Sequence, residues 1–204
     1  DAIADLQALL DDADDNANDP GPDNPYLIVI GPGVYDLGSE SLRLLPGVTV
    51  DGAGVDATIL QGSGGTMEQA LVIGSDDASL RNLTVHKSGG PNATAMYNPG
   101  VAPVVDHVKL LADGASGTGI GVYNTDGATP NVSSVVIGVT GNGVNTGVRN
   151  DGTAAPVLVD VAVNADNAVM NTNASSASIY HSNLTGGLEN DATSSLWFST
   201  GMLD

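Results

Sequence analysis

Cysteine is absent from the 204-residue sequence, which excludes disulfide bonds and thiolate metal sites. Basic side chains are scarce as well, since five Lys and Arg stand against 24 Asp and Glu, for a formal net charge of −19. Nucleic acids and anionic membranes attract positive surfaces, so this charge argues against both as partners. No apolar run approaches the roughly 20 residues that span a bilayer, and the acidic start lacks the pattern of a signal peptide.

Charged residues that favour helices are also rare. Of the 24 acids, 21 are Asp and three are Glu, and only two of the five basic residues are Lys. Asp, Asn and the 27 glycines favour turns, so the composition predicts short strands with little helix. One helix is predicted over residues 2–14, where Ile3, Leu6, Leu10 and Ala13 recur at spacings of three and four. A linker rich in Pro and Gly follows to residue 25.

Two sequence patterns repeat with the same period. The first ends in asparagine and is spaced by 26, 26, 21 and 19 residues, at Asn98, Asn124, Asn150, Asn171 and Asn190. The second is a short apolar run centred on Leu83, Val108, Val135, Val161 and Leu184. A period near 25 without a leucine consensus or helix formers excludes leucine-rich and helical repeats, and a propeller blade is longer. We therefore predict a parallel β-helix of about seven coils over residues 26–204, with residues 1–25 as its cap and linker.

The asparagine repeat also predicts which side chains face inward. Val122, Val148 and Val169 precede the asparagines by two residues, so both sets point into the solenoid. Stacked asparagines satisfy their amides by bonding one another, which favours a structural ladder. The residues between them then face solvent as one exposed row, namely Tyr97, Tyr123, Arg149, Met170 and Glu189.

Several segments resemble proteins of the pectin-lyase-like superfamily. These are Gly31 to Leu37, Leu42 to Leu44 and Gly47 to Gly54, which are similar to the opening coils of many members. The repeats of the form Gly-Val-Tyr-Asn followed by Pro-x-Val-x-x-Val are similar to those of bacterial surface and secreted proteins of that group. The resemblance implies an all-β, right-handed parallel β-helix with an interior asparagine ladder. It does not choose an activity, because the superfamily holds lyases, hydrolases, esterases, epimerases, tailspikes and adhesins.

Catalytic and metal motifs of this fold are mostly missing. Asn124-Thr125-Asp126 matches the first element of galacturonan hydrolases, but the other elements are absent, which favours a turn after the ladder asparagine. Arg149 lacks the basic context of pectate lyases, and no pectin methylesterase motif is found. The three histidines have no metal-ligand spacing, and no calcium loop matches. We predict no catalytic, cofactor or metal residues, and Ca²⁺ is unsupported.

The sequence therefore predicts a non-catalytic structural or adhesive module, secreted or on a bacterial cell surface. If it binds carbohydrate, Tyr97, Tyr123 and Arg149 form the site, and a neutral polysaccharide suits the charge better than a polyuronate. Two alternatives stay open. One is a polysaccharide-degrading enzyme of the same fold, and the other is a fibre subunit that associates end to end.

Overall fold

The chain forms a solenoid of parallel β-strands in a computed structural model that describes residues 8, 20–21 and 23–199. Every pairing between the named strands is parallel, and the strands stack on three faces. The all-β parallel β-helix expected from the sequence is therefore confirmed. The predicted capping helix over residues 2–14 lies, apart from Ala8, outside the described residues. The part of the chain that the structure describes contains no helix of the length and apolarity that a membrane crossing requires.

The strands alternate between the faces in chain order. Face one holds β1 (Tyr26–Ile30), β4 (Val48–Gly52), the first part of β7 (Ser79–Ser88) and of β9 (Val104–Ala115), β11 (Asn131–Ser133), β14 (Val157–Val159), β16 (Ser176–Tyr180) and β18 (Ser195–Ser199). Face two holds β2 (Gly33–Asp36), β5 (Thr58–Ser63), the second part of β7 and β9, β12 (Val136–Gly141) and the first part of β15 (Ala162–Asn171) and of β17 (Asn183–Asn190). Face three holds β3 (Leu42–Arg43), β6 (Val72–Ile73), β8 (Asn92–Pro99), β10 (Thr118–Thr125), β13 (Val144–Asn150) and the remainders of β15 and β17.

Six turns of the chain separate β2 from β17 on face two, close to the seven coils expected. The register stacks like residues, so apolar side chains form continuous inner rows. Face two contributes Leu60, Val85, Leu110, Ile137 and Val163, and face three contributes Leu42, Val72, Met96, Val122, Val148 and Val169. All of these side chains are buried. They form the core between the faces, which fixes the outward rows discussed below.

A single residue with positive φ turns the chain from face one to face two. In five successive coils it is Asn82, His107, Ser134, Asp160 and His181, with φ of 56°, 51°, 53°, 53° and 48°. Asn and Asp adopt this left-handed conformation more readily than most residues. The next residue begins the inward row of face two, and Leu83, Val108, Val135 and Val161 are buried there. The second sequence repeat therefore marks this corner.

A series of asparagine amides crosses the interior at the end of face three. Asn98 Nδ2 donates to Asn124 Oδ1 at 2.8 Å, Asn124 Nδ2 to Asn150 Oδ1 at 2.8 Å, and Asn150 Nδ2 to Asn171 Oδ1 at 2.7 Å. These four side chains are fully buried. The series ends when Asn171 Nδ2 donates to the carbonyl of Ser195 at 2.8 Å. Asn190, predicted to continue the ladder, is the Cα partner of Asn171, but its side chain is exposed, so the ladder does not extend to it.

One basic side chain lies inside the solenoid. Lys87 occupies an inward position on β7, between Gly62 on β5 and Ala112 on β9. It is 0 % exposed, and among the described residues its Nζ has no hydrogen-bond partner. Burial lowers the pKa of the amine, and the carboxylate of Glu40 partly offsets that shift. An ammonium without a hydrogen-bond partner in a core is costly, so we expect Lys87 to lower the stability of the fold.

Candidate functional site

The outward row of face three is longer than the repeat pattern indicated. Its Cα partners are, in order, Arg43, Ile73, Tyr97, Tyr123, Arg149, Met170 and Glu189. Arg43 and Ile73 could not be recognised from the repeat because the asparagine that marks the later coils is absent there. Leu44 follows Arg43 and Gly74 follows Ile73 where the later coils carry asparagine. The strands are also short, since β3 and β6 have two residues each.

The three predicted carbohydrate-binding residues are brought together in this row. The rings of Tyr97 and Tyr123 are stacked, with centroids 5.3 Å apart and planes 28° from parallel. The Arg149 guanidinium carbon lies 5.3 Å from the centroid of the Tyr123 ring, a distance typical of a cation–π contact. The hydroxyl of Tyr97 is 3.2 Å from Thr125 Oγ1. The row is therefore a packed cluster with Tyr123 in the middle.

The loop between β5 and β6 reaches over this cluster. Arg149 Nη1 donates to Met67 Sδ at 3.7 Å, although Met67 precedes β6 and Arg149 lies three strands further along the face. Tyr123, which lies between the Tyr97 ring and the Arg149 guanidinium, is only 7 % exposed, and this burial raises the pKa of its hydroxyl. The expectation that Tyr123 is exposed was wrong, because the sequence pattern fixes the direction of a side chain but not what covers it. Tyr97 and Arg149 are half-buried.

The same loop closes one side of a cavity of about 480 Å³ at the start of the row. Its lining residues are Ser39, Glu40, Ser41, Arg43, Gly65, Glu68, Gln69 and Ile73. Arg43 and Ile73 belong to the outward row, so the cavity and the tyrosine cluster are parts of one surface. We call this surface the face-three groove, defined by Arg43, Ile73, Tyr97 and Arg149 together with the loop over residues 64–70.

The face-three groove concentrates the long charged side chains of the chain. Two of the three glutamates, Glu40 and Glu68, line the cavity, and two of the three arginines, Arg43 and Arg149, lie in the row. Several aspartates elsewhere lie in turns, as at Asp126 with φ of 54°. Glu and Arg have little turn preference, so local backbone geometry does not account for their placement here. The cavity offers carboxylates, a guanidinium, an amide and hydroxyls, all of which bind the hydroxyl groups of a polar ligand.

The loop has its own internal support. The backbone N–H of Thr66 donates to Gln69 Oε1 at 3.0 Å, and the backbone N–H of Gln69 donates to Thr66 Oγ1 at 3.3 Å. Gly64 and Gly65 precede this turn with φ of 70° and 113°. Residues other than glycine rarely adopt the φ of 113° found at Gly65. These glycines direct the loop, and the Thr66–Gln69 bonds hold its tip.

The remaining motifs have structural settings. Asn124 belongs to the amide series and Thr125 contacts Tyr97, so Asn124-Thr125-Asp126 is a strand end followed by a turn. Two histidines pair with aspartates, His86 Nε2 with Asp113 Oδ2 at 2.9 Å and His107 Nδ1 with Asp106 Oδ2 at 2.8 Å. Within residues 23–199 no three His, Asp or Glu side chains are grouped as a metal site requires.

No family model and no curated protein matches the sequence. Solved structures do match. A pectin methylesterase in complex with a hexasaccharide is 11 % identical, aligns over 96 % of this chain and 76 % of its own, and has a TM-score of 0.46. The pectin methylesterase of Yersinia enterocolitica is 11 % identical over 92 % of this chain and 94 % of its own, with a TM-score of 0.45. The A-module of the mannuronan C-5 epimerase of Azotobacter vinelandii is 11 % identical over 89 % and 71 %, with a TM-score of 0.38. These are pectin-lyase-like parallel β-helix proteins, the group that the sequence resembles, and similarity at this level concerns the fold alone.

Proposed function

We propose that the chain is a carbohydrate-binding β-helix module whose binding surface is the face-three groove. The observation that carries the proposal is the continuity of the 480 Å³ cavity with the row that holds Tyr97 and Arg149. Aromatic faces beside polar groups suit sugar rings, because one side of a ring is apolar and its edge carries hydroxyls. An extracellular or bacterial cell-surface location is part of the same proposal, since such a module meets glycans there.

A neutral glycan fits the charges better than a polyuronate. The chain carries a net charge of −19, which repels polyanions at a distance. Inside the cavity, Glu40 and Glu68 outnumber Arg43. Arg149 is engaged by the Tyr123 ring and by Met67. The groove therefore offers hydrogen bonds without a net positive charge.

Replacing Tyr97 by alanine should weaken glycan binding. The expected loss is about tenfold in Kd, the worth of one aromatic contact. A glycan array on the intact chain identifies the ligand, and calorimetry with that glycan then compares the variants. Tyr180→Ala is the matched control, since Tyr180 is an exposed tyrosine on face one. Tyr123→Ala is unsuitable, because truncating a buried ring disturbs the cluster itself.

Unchanged affinity in Tyr97→Ala, with a far-ultraviolet spectrum like that of the unaltered chain, would show that the row is only scaffold. Stronger binding to polyuronates than to neutral glycans would contradict the charge argument. Equal losses of glycan affinity in Tyr97→Ala and Tyr180→Ala would show that the ligand does not bind specifically at the face-three groove.

A polysaccharide-modifying enzyme is the second candidate, because two glutamates line one cavity. Paired carboxylates are the groups that glycoside hydrolysis uses as acid and base. The test is incubation with neutral polysaccharides and pectin, followed by measurement of new reducing ends or unsaturated products. Turnover that falls at least about 100-fold in Glu68→Gln would establish the enzyme and end the non-catalytic proposal. Binding without turnover supports the module.

A further inference from the structure

We propose that the outward side of face two carries a second site, which hydrolyses small acyl esters through Ser88, His86 and Asp113. The proposal is independent of the carbohydrate-binding role of the face-three groove. It rests on a bonded His–Asp pair, on a serine beside that pair, and on a small cavity that the serine and the histidine share.

The first observation is the orientation of the His86 ring. Its Nε2 lies 2.9 Å from Asp113 Oδ2, and the other oxygen of that carboxylate accepts a bond from Thr140 Oγ1 at 2.8 Å. A carboxylate only accepts, so Nε2 carries the proton and Nδ1 of the neutral ring is a proton acceptor. The side chains of His86 and Asp113 are 34 % and 40 % exposed, which leaves the pair open to a ligand. A carboxylate that fixes an imidazole in this way is the arrangement of a general base.

The second observation is the position of Ser88. It follows His86 by two residues on β7, so both side chains lie on the same side of the strand. Its Cα partners are Ser63 on β5 and Asp113 on β9, which places it next to the carboxylate that holds the ring. The Ser88 hydroxyl donates to the carbonyl of Gly62 at 3.4 Å, longer than an ordinary hydrogen bond between oxygens. The hydroxyl is therefore weakly held. It makes no hydrogen bond to the His86 ring in this arrangement, so the proposed reaction requires the Ser88 side chain to rotate toward Nδ1.

The third observation is a cavity of about 140 Å³ lined by Asp36, Gln61, Gly62, Ser63, His86 and Ser88. The nucleophile and the base both line it. Its volume is below that of sites for whole sugars or cofactors, which run from roughly 300 Å³ upward. It suits a group the size of acetyl, with the alcohol part of the ester outside. Apart from Ser88 and His86, the lining side chains that can donate to the oxygen on which charge develops are the Gln61 amide and the Ser63 hydroxyl.

The reaction follows from these positions. Ser88 Oγ bonds to the acyl carbon while His86 Nδ1 takes the hydroxyl proton, and the bond from that carbon to the alcohol oxygen then breaks. The departing alcohol takes the proton from Nδ1. Water next attacks the acyl-serine, His86 receives its proton, and Ser88 Oγ recovers that proton as the acid leaves. The balance is one ester and one water to one acid and one alcohol.

The test uses the intact chain with p-nitrophenyl acetate and a fluorophosphonate probe. We expect hydrolysis and stoichiometric labelling, located at Ser88 by peptide mass spectrometry. Ser88→Ala should abolish the labelling, and His86→Ala should lower kcat/KM by at least about 100-fold. His107→Ala is the matched control, because His107 also pairs with an aspartate, through Nδ1 to Asp106 Oδ2 at 2.8 Å, but lines no part of this cavity. It should leave the rate unchanged.

Labelling at another residue would overturn the proposal. Equal losses of kcat/KM in His86→Ala and His107→Ala would overturn it as well. A rate for the unaltered chain no higher than that of Ser88→Ala would also overturn it. Ser63→Ala separates the two serines of the cavity, and loss of labelling in that variant alone would reassign the nucleophile. Glycan binding is measured on the same variants, so a failure of one site is distinguished from a failure of the other.

Discussion

Replacing Asn124 by leucine should lower the free energy of unfolding by about 2–5 kcal/mol. Asn124 accepts a bond from Asn98 and donates one to Asn150, both at 2.8 Å in the buried interior. Leucine has a similar branched shape but no polar atoms. The substitution therefore leaves the Asn98 amide hydrogens and the Asn150 oxygen without partners, and each buried unsatisfied group costs about 1–3 kcal/mol. Urea unfolding followed by circular dichroism measures the loss.

Asn190→Leu is the matched control for this prediction. It occupies the same row one coil further along, but its side chain is exposed, and Asn171 donates to the Ser195 carbonyl instead. The same chemical change should therefore alter stability by less than about 0.5 kcal/mol. Similar effects of the two substitutions would show that the amide series contributes nothing specific.

The fold could be predicted because its strongest constraints repeat. A buried amide needs a partner, and stacked asparagines at one period supply it in every coil from Asn98 to Asn171. The corner from face one to face two repeats for a similar reason, since it needs a residue that tolerates positive φ, as Asn82 and Asp160 do. Physical needs that recur at a fixed spacing leave a periodic sequence, and these two needs produced the two repeats.

The candidate site was predicted only in part, because much of it comes from a segment that occurs once. Alternation placed Tyr97, Tyr123 and Arg149 in one row, and their stacking follows from parallel register. The loop that carries Met67 over Arg149 runs along the solenoid axis and has no counterpart in the repeat. Tyr123, which alternation alone places on the outer surface, is buried in the same cluster. A non-repeated loop leaves no period to detect.

The cluster around His86 shows another limit. Ser88 is recognisable as its neighbour on one strand, but Asp113 lies 27 residues away from His86 and meets it only through the register of β7 and β9. Asp113 also precedes Gly114, a pair typical of turns, so the sequence alone favours a turn at this position. Motifs whose members are one coil apart require the pairing register, which composition and alternation do not supply.

Lys87→Met should raise the free energy of unfolding by about 1–3 kcal/mol at neutral pH. Methionine fills a similar volume with a flexible apolar chain. It removes an amine that is 0 % exposed and whose Nζ has no hydrogen-bond partner among the described residues. Glu40 attracts the amine, but Glu40 itself is exposed at the cavity. Losing this attraction in Lys87→Met therefore costs little stability. Thermal and urea unfolding measure the gain.

The gain should depend on pH in a direction that identifies its cause. Burial lowers the pKa of the Lys87 amine below its ordinary value of 10.5. Between the lowered pKa and 10.5, the unfolded chain binds more protons at this site than the folded chain, so the stability of the unaltered chain rises with pH. Below the lowered pKa both states carry the charge, and the cost of burying it is greatest. The advantage of Lys87→Met is therefore largest at the low end of this range and shrinks toward pH 10.5.

Lys109→Met is the control, because Lys109, the other lysine, pairs at the surface with Asp56 at 3.0 Å. The Lys109→Met substitution should lower the free energy of unfolding by less than about 1 kcal/mol. A Lys87→Met protein less stable than the unaltered chain, or one whose advantage grows with pH, would show that the amine is held by a partner in the core.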